Sequence, residues 1–481
     1  MQRLVVLFSR ALGLLVLAVP LGRAADTHYD LIVRNGRVID GTGSPWYAAD
    51  VAIRDGRIAA IGNLGPARAL RSIDAHGQVV APGFIDMLGQ SELTLLVDPR
   101  APSKIFQGIT TEITGEGESV APLNDAIITE KRLTYDHYRL KADWRTFPEY
   151  FARLEKQGIG INFATYIGAT SVREMVIGYG ARTPTEEELK QMEELVAEGM
   201  RAGVMGVSSS LQYPPAPYAS TEELIALARV AARYSGIYAT HMRDEGNAEM
   251  AALDETFRIG REAAIPVEVF HLKTSGKRNW GGMPQVVERI EKARAQGIDV
   301  AADTYAYTAW FNDLAAFTPP WANDGGKAQL LRRLKDPAMR AKMRHDMTTP
   351  SDTWNNEWLE TGGPQDVMIC AVKHKELLQY QGKRLSEVAA EWHEDAIDAI
   401  FDFLIKDEAE TDVAGLRWTT TARPRPRRVF SVRSIHTRVP TELSLASSQS
   451  TCGRRASSAC RTPFVSSRRS PRNASTCPIV G

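Results

Sequence analysis

Residues 237–303 read IYATHMRDEGNAEMAALDETFRIGREAAIPVEVFHLKTSGKRNWGGMPQVVERIEKARAQGIDVAAD, and this stretch decides the fold. Three short apolar runs, YATH, VEVFH and VAAD, end in polar residues: His241, His271 and Asp303. Their spacings of 30 and 32 residues each equal about one strand–helix unit, and helical periodicity fills the gaps. Alternation of this kind argues for a mainly parallel sheet. Four further apolar candidates precede these runs, at 79–87, 108–114, 161–167 and 204–209, making seven in all. Between them, 185–202 and 220–234 open on Thr185 and Ser220 with Glu following, a helix-start signature. The count predicts an α/β fold of the (β/α)8 type, in which neighbouring strand ends assemble a site on one face.

Two neutral imidazoles at neighbouring strand ends are natural ligands for a divalent metal, zinc foremost. An anionic third ligand is offered by Glu116 or Glu118 in TEITGEGES, directly after the second strand candidate. Lys273 and Arg243 each lie two residues beyond a histidine, on the same face of an extended chain, and either suits a substrate carboxylate. Asp303 completes the row of strand-end polar groups, and Tyr213, Tyr305 and Tyr307 stand near strand ends as aromatic donors. Each residue type also has an ordinary structural role: core histidine, solvated carboxylate, surface cation, packing ring.

The chain has 481 residues, 43% hydrophobic and 24% charged, long enough for a barrel-sized core plus a smaller domain. That excludes a disordered tail protein, a coiled coil and a disulfide miniprotein. The balance of 58 basic against 58 acidic residues conceals two compositions. Residues 416–481 hold thirteen Arg, no Lys and one acid, Glu442, a net +12; the preceding 415 residues carry −12. The acidic body has neither a phosphate-binding glycine loop nor a basic patch with interleaved aromatics, so no nucleic-acid partner is expected. Residues 29–72 read as short strands with an Asp55-Gly56 hairpin turn, residues 310–358 as an irregular insertion or lid, and 384–405 as helix. Arg3 and Arg10, an apolar run at 11–21, and small residues Gly22 and Ala24 lay out a signal peptide over 1–24. The expected protein is exported, periplasmic or secreted, with no membrane contact after cleavage. Cys370 stands alone in the body, so no disulfide framework is expected there.

The opening YDLIVRNGRVIDGTGSPWYAADVAIRDGRIAAIG, followed by VVAPGFID, resembles the start of an amidohydrolase-superfamily metallohydrolase. GITTEITGEG, GVSSSLQYPPAPYASTEEL, YATHMRDEG, FHLK and DTYAYTA, in that order, resemble the D-aminoacylase (N-acyl-D-amino-acid deacylase) family, and the resemblance spans residues 29–415. It implies a metal-bearing barrel over 79–415 and a small β-sandwich to which 25–78 contribute. It also implies hydrolysis of the amide in a small N-acyl-D-amino acid or a peptide containing D-residues. Carried over by motif, His241 and His271 are zinc ligands, and Lys273 and Tyr213 lie near the substrate carboxylate or the reaction centre. The chain departs from the family where a His-x-His pair would stand, since Leu88 and Gln90 occupy those positions. The family's bridging Cys aligns near Gly117. One zinc ion, held by His241, His271 and either Glu116 or Glu118, is therefore expected, with Lys273, Arg243, Tyr213, Tyr307 and Asp303 facing substrate.

The resemblance further implies an Asp ending an eighth strand as the proton-transfer group. No such strand is expected after Asp407, where the chain turns instead to TTTARPRPRRVFSVRS. Back-translated with free codon choice and read from the third base, 433–445 give KHPYPRAYGTFA and 458–472 give LSLPDAIRKFTALPAQ. Both resemble the end of a D-aminoacylase barrel. Residues 416–481 are thus expected to be out of frame, with strand eight and its catalytic Asp missing and no catalytic residue assigned. Three readings stay open: an active deacylase, an inactive frameshifted product, and a non-enzymatic ligand-binding protein. Hydrolysis of a cyclic amide or a dipeptide is the enzymatic alternative, because loops set substrate choice on such folds.

Overall fold

The computed structural model describes residues 28–415 except 306 and 308. Residues 1–27, where a signal peptide is expected, and the Arg-rich residues 416–481 lie outside the described residues. The chain divides into two compact units, at 82/83.

The first unit is one sheet of β1 (His28–Val38), β2 (Tyr47–Arg54), β3 (Arg57–Gly62), β4 (Arg68–Asp74) and β5 (Val79–Val80). Its order is β3-β2-β1-β4, with β5 also beside β1. Asp55 and Gly56 join β2 to β3 with φ of 52° and 70°, as a tight hairpin turn requires. Ile32, Val38, Ala49, Val51 and Ala52 are buried, while Ile58 and Leu70 are exposed. The described residues supply a single layer here.

The second unit contains a parallel arc. β6 (Phe84–Asp86), β7 (Ile109–Thr114) and β8 (Asn162–Thr165) form one sheet. The second comprises β9 (Ile167–Gly168), β10 (Gly206–Ser210), β11 (Ile237–His241), β12 (Val267–Val269) and β13 (Val300–Ala302). Only Tyr166 separates β8 from β9; its N–H donates to Thr114 O, and Met205 N–H donates to Thr165 O, so the sheets run on from one another. Each of the seven strand candidates thus becomes a strand position. Helices Glu186–Ala202, Thr221–Arg233, Glu249–Ala263 and Met283–Ala295 bury Val196, Leu227, Leu253 and Val286 in the core of this arc. Thr185 and Glu188 form the reciprocal capping box that starts the first of them.

The closed barrel expected from the sequence is not formed. Among the described residues no hydrogen-bonded ladder joins β13 to β6, and the architecture is a mixed α/β unit with parallel sheets. Residues 310–415 build a second core instead. There β16 (Asp412–Gly415) lies antiparallel between β14 (Trp310–Asp313) and β15 (Val367–Ala371). Helices Lys327–Leu334, Pro337–Thr348, Leu385–Trp392 and Ala396–Lys406 bury Leu330, Met343, Val388, Phe401 and Phe403 with the strand residues Ile369 and Val413. The expected irregular lid is therefore half of a packed core. A strand does follow Asp407, but it is antiparallel and lies outside the arc.

Candidate metal centre

Glu116, His241 and His271 arrive from the C-terminal ends of β7, β11 and β12. Gly115 and Gly117 flank Glu116 with φ of 92° and 67°, turning the chain sharply off β7. A Cβ at Gly117 would lie 2.4 Å from Ser210 Cβ and 2.5 Å from Ser210 N, so a cysteine does not fit at that position. His271 has φ of 34°, unusual for a side-chain-bearing residue. Asp303 braces the turn: His271 N–H donates to its Oδ1 at 2.6 Å.

Glu116 Oε1 lies 3.0 Å from His241 Nδ1 and 2.9 Å from His271 Nε2. One ligand atom from each residue fits within 4.8 Å of the other two. A tetrahedral zinc site with bonds of about 2.0–2.1 Å has ligand–ligand edges of about 3.3 Å. Two nitrogens and a carboxylate oxygen at this spacing therefore fit a divalent ion, and fit an N/O-preferring metal such as zinc by chemistry. The imidazole rings meet edge to face at 4.6 Å.

Electrostatics sharpen the picture. Burial pushes the Glu116 carboxyl up, but His271 and His241 outweigh it and hold the group well below the usual carboxylate range. Burial pushes His241 down and keeps it neutral. His271 is opposed by burial and by Lys273, yet Glu245 and Glu116 raise it to about 9.

Among the sequence candidates, Glu116 joins the histidines, whereas Glu118 turns away to pair with Lys131. Lys273 Nζ lies 2.9 Å from His271 Nδ1 and 2.6 Å from Glu245 Oε2, a buried cation already neutralised. Arg243 is not brought to the centre: it forks onto Glu255 at 2.8 and 2.9 Å and donates to the Pro217 and Ala219 carbonyls. Arg243 is thus held in an ion pair rather than standing as a free cation. The Tyr213 ring lies 5.0 Å from that of His241. The Tyr305 ring lies 6.3 Å from that of His271, and Tyr307 lies beyond it with its ring tilted 39° to that of Tyr305, 65% exposed. Asp303 Oδ1 accepts the His271 backbone N–H.

Several residues at the centre went unread in the sequence. Glu245 lies 3.2 Å from His271 Nδ1 and shares Lys273; its signal was the acid four positions past His241 in YATHMRDEG. Gln212 Oε1 lies 2.8 Å from His241 Nε2, and Glu357 receives the Gln212 amide. Gln90, already singled out in the sequence at a position where the resemblance implies a histidine, donates to Glu116 Oε2 at 2.8 Å. Glu116 also lines a cavity of about 540 Å³, walled by Glu118, Lys131, Tyr135, Tyr179 and Lys327 among others. No described helix is long and apolar enough to cross a membrane.

Comparison with known proteins places this geometry. A family model described as "Amidohydrolase family" matches residues 71–415. D-aminoacylase of Alcaligenes xylosoxydans xylosoxydans is 41% identical over 285 residues, 58% of each chain. N-acyl-D-glutamate deacylase of the same organism is 39% identical over 282 residues, 58% of this chain and 57% of its own. The chain thus spans less than three fifths of the length of these curated relatives. A solved D-aminoacylase superposes with a TM-score of 0.65 at 31% identity, over 81% of this chain and 72% of that one. An N-acyl-D-glutamate deacylase from Bordetella bronchiseptica, solved with zinc and a phosphonate mimic of the tetrahedral intermediate, gives 0.67 at 29% identity, over 82% and 72%.

Proposed function

Because the chain belongs to the amidohydrolase family, in its D-aminoacylase branch, we propose that it hydrolyses N-acyl-D-amino acids to a carboxylate and a D-amino acid. The observation that carries this is the convergence of Glu116, His241 and His271 at the C-terminal ends of three parallel strands. These residues would hold one zinc ion, which when bound supplies the Lewis acidity that polarises an amide carbonyl and makes water acidic enough to attack. Export to the periplasm or beyond belongs to the same proposal, supported by the composition of residues 1–24.

The chain's own groups do the rest. The cavity beside Glu116 receives the substrate. Tyr213 and Tyr305 pack edge-on against the two imidazoles and keep that side of the centre dry. Glu245 holds the Lys273 ammonium against His271, placing a positive charge beside the centre without leaving it free to pair elsewhere.

The test is metal content together with stereoselective turnover. The full chain, purified with zinc present, is expected to retain roughly one ion per molecule and to release D- but not L-amino acids from their N-acetyl derivatives. Glu116→Gln is expected to lose both the ion and the activity. A wild-type chain that takes up no metal and hydrolyses neither enantiomer overturns the proposal.

A further inference from the structure

We infer that Gln212 is a positioning residue for this centre: its side-chain carbonyl sets the tautomer of His241, and Glu357 sets which way the Gln212 amide faces. The inference rests on the metal-binding reading above, but its geometry is independent of any ion.

A neutral imidazole has one N–H and one lone pair, and only the lone pair can bind a metal. His241 presents Nδ1 to Glu116 Oε1 at 3.0 Å and Nε2 to Gln212 Oε1 at 2.8 Å. With the proton on Nε2, the ring donates to the Gln212 carbonyl, and the Nδ1 lone pair faces the point where Glu116 and His271 converge. With the proton on Nδ1, the ring donates to the Glu116 carboxylate and two lone pairs meet at 2.8 Å beside Gln212; with it on Nε2, the Nδ1 lone pair faces that carboxylate at 3.0 Å, a repulsion that a cation held between them removes. The productive tautomer therefore requires oxygen, not nitrogen, from the Gln212 amide.

A side-chain amide is nearly symmetric in shape, so something must prevent its flip. Glu357 does this. Gln212 Nε2 donates to Glu357 Oε1, and the same oxygen accepts from Asn355 Nδ2 at 3.2 Å and Asn312 Nδ2 at 3.4 Å. Three amide donors aimed at one oxygen fix it as an acceptor. A flipped Gln212 would set its carbonyl against that carboxylate and its NH₂ against Nε2–H. Gln212 is 9% exposed and Glu357 6%, so water is poorly placed to relieve either mismatch. Asn312 belongs to β14, and Glu357 to the short helix Glu357–Glu360 in the second core. That core thereby reaches the centre through one hydrogen-bonded relay, Glu357 to Gln212 to His241.

The relay is tested on the zinc-loaded full chain by long-range ¹H–¹⁵N spectra of its nine imidazoles at pH 8, with His241 identified by its loss in His241→Asn. The wild-type ring is expected in the Nε2–H form. Gln212→Leu is expected to shift it toward Nδ1–H and to weaken zinc binding about 10–100-fold in chelator competition. Glu357→Leu is expected to give a smaller loss in the same direction. An Nδ1–H ring in the wild type overturns the inference without any variant having to fold. So does a Gln212→Leu zinc affinity within about threefold of wild type, well short of the range expected for such partners. A wild-type chain that takes up no zinc overturns the metal reading and this inference with it, whereas a zinc-loaded Nδ1–H ring overturns the inference alone.

Discussion

Asp303 shows how a strand-end acid can hold the backbone of a site. Its Oδ1 accepts the His271 N–H at 2.6 Å, inside a turn that a non-glycine residue rarely adopts. Asp303→Ala strands that buried donor and is expected to cost about 1–3 kcal/mol, whereas Asp303→Asn keeps the acceptor and most of the stability. Equal loss in both variants, measured by urea unfolding, would sink the bracing role. The histidines and Glu116 were legible because strand register places chemistry at strand ends. The partners of Lys273 and Arg243 were not. A local pattern shows that a cation points toward a mouth; it does not show that Glu245 or Glu255 is already there to meet it. The choice between Glu116 and Glu118 needed the turn at Gly117 and the position of Lys131.

At the scale of elements, β12 carries a carboxyl where a buried strand would ordinarily be apolar. Glu268 lies between buried Val267 and Val269, and burial, with Asp303 adding to it, raises it to about 8. The folded chain therefore keeps a proton that the unfolded chain releases near its ordinary value. This contribution to stability is complete below the unfolded pKa and is lost as pH rises toward 8, at up to about 1.4 kcal/mol per pH unit. Glu268→Gln is expected to flatten that part of the profile, so its advantage over wild type grows between pH 5 and 8. Parallel urea midpoints for the two proteins across that range would show the assignment to be wrong. The seven strand positions and the Thr185 and Ser220 caps were readable because each is a local signal. The sheet of β14, β15 and β16 was not. Asp412–Gly415 is four residues long, and its ladder partners at 310–313 lie about a hundred positions away, so no window of sequence contains the pattern.

At the scale of the molecule, two compositions share one chain. The acidic body folds into the units described above, while 416–481 carry thirteen Arg against a single acid. We propose that the reading frame changes between the codons for residues 415 and 433. Resequencing that interval is expected to recover a frame that runs into HPYPRAYGTFA and supplies an Asp in place of TTTARPRPRRVFSVRS. A confirmed frame as given, shared letter for letter by homologous chains, would refute it. In the restored protein the edges of β6 and β13, unpaired among the described residues, would be the seats for a strand that the second core does not supply.

The backbone at residue 271 has a consequence for how this centre can evolve. Zinc accepts histidine, cysteine, aspartate and glutamate, but a φ of 34° does not welcome them equally. Among residues with a side chain, the left-handed region favours asparagine, aspartate and histidine. A drift from histidine to cysteine or glutamate would satisfy the metal and offend the chain, while a drift to glycine would relax the chain and forfeit the ligand. Only histidine and aspartate satisfy both demands, so with the proposed ion bound, the choice of residue at 271 is narrowed by the peptide as well as by the metal.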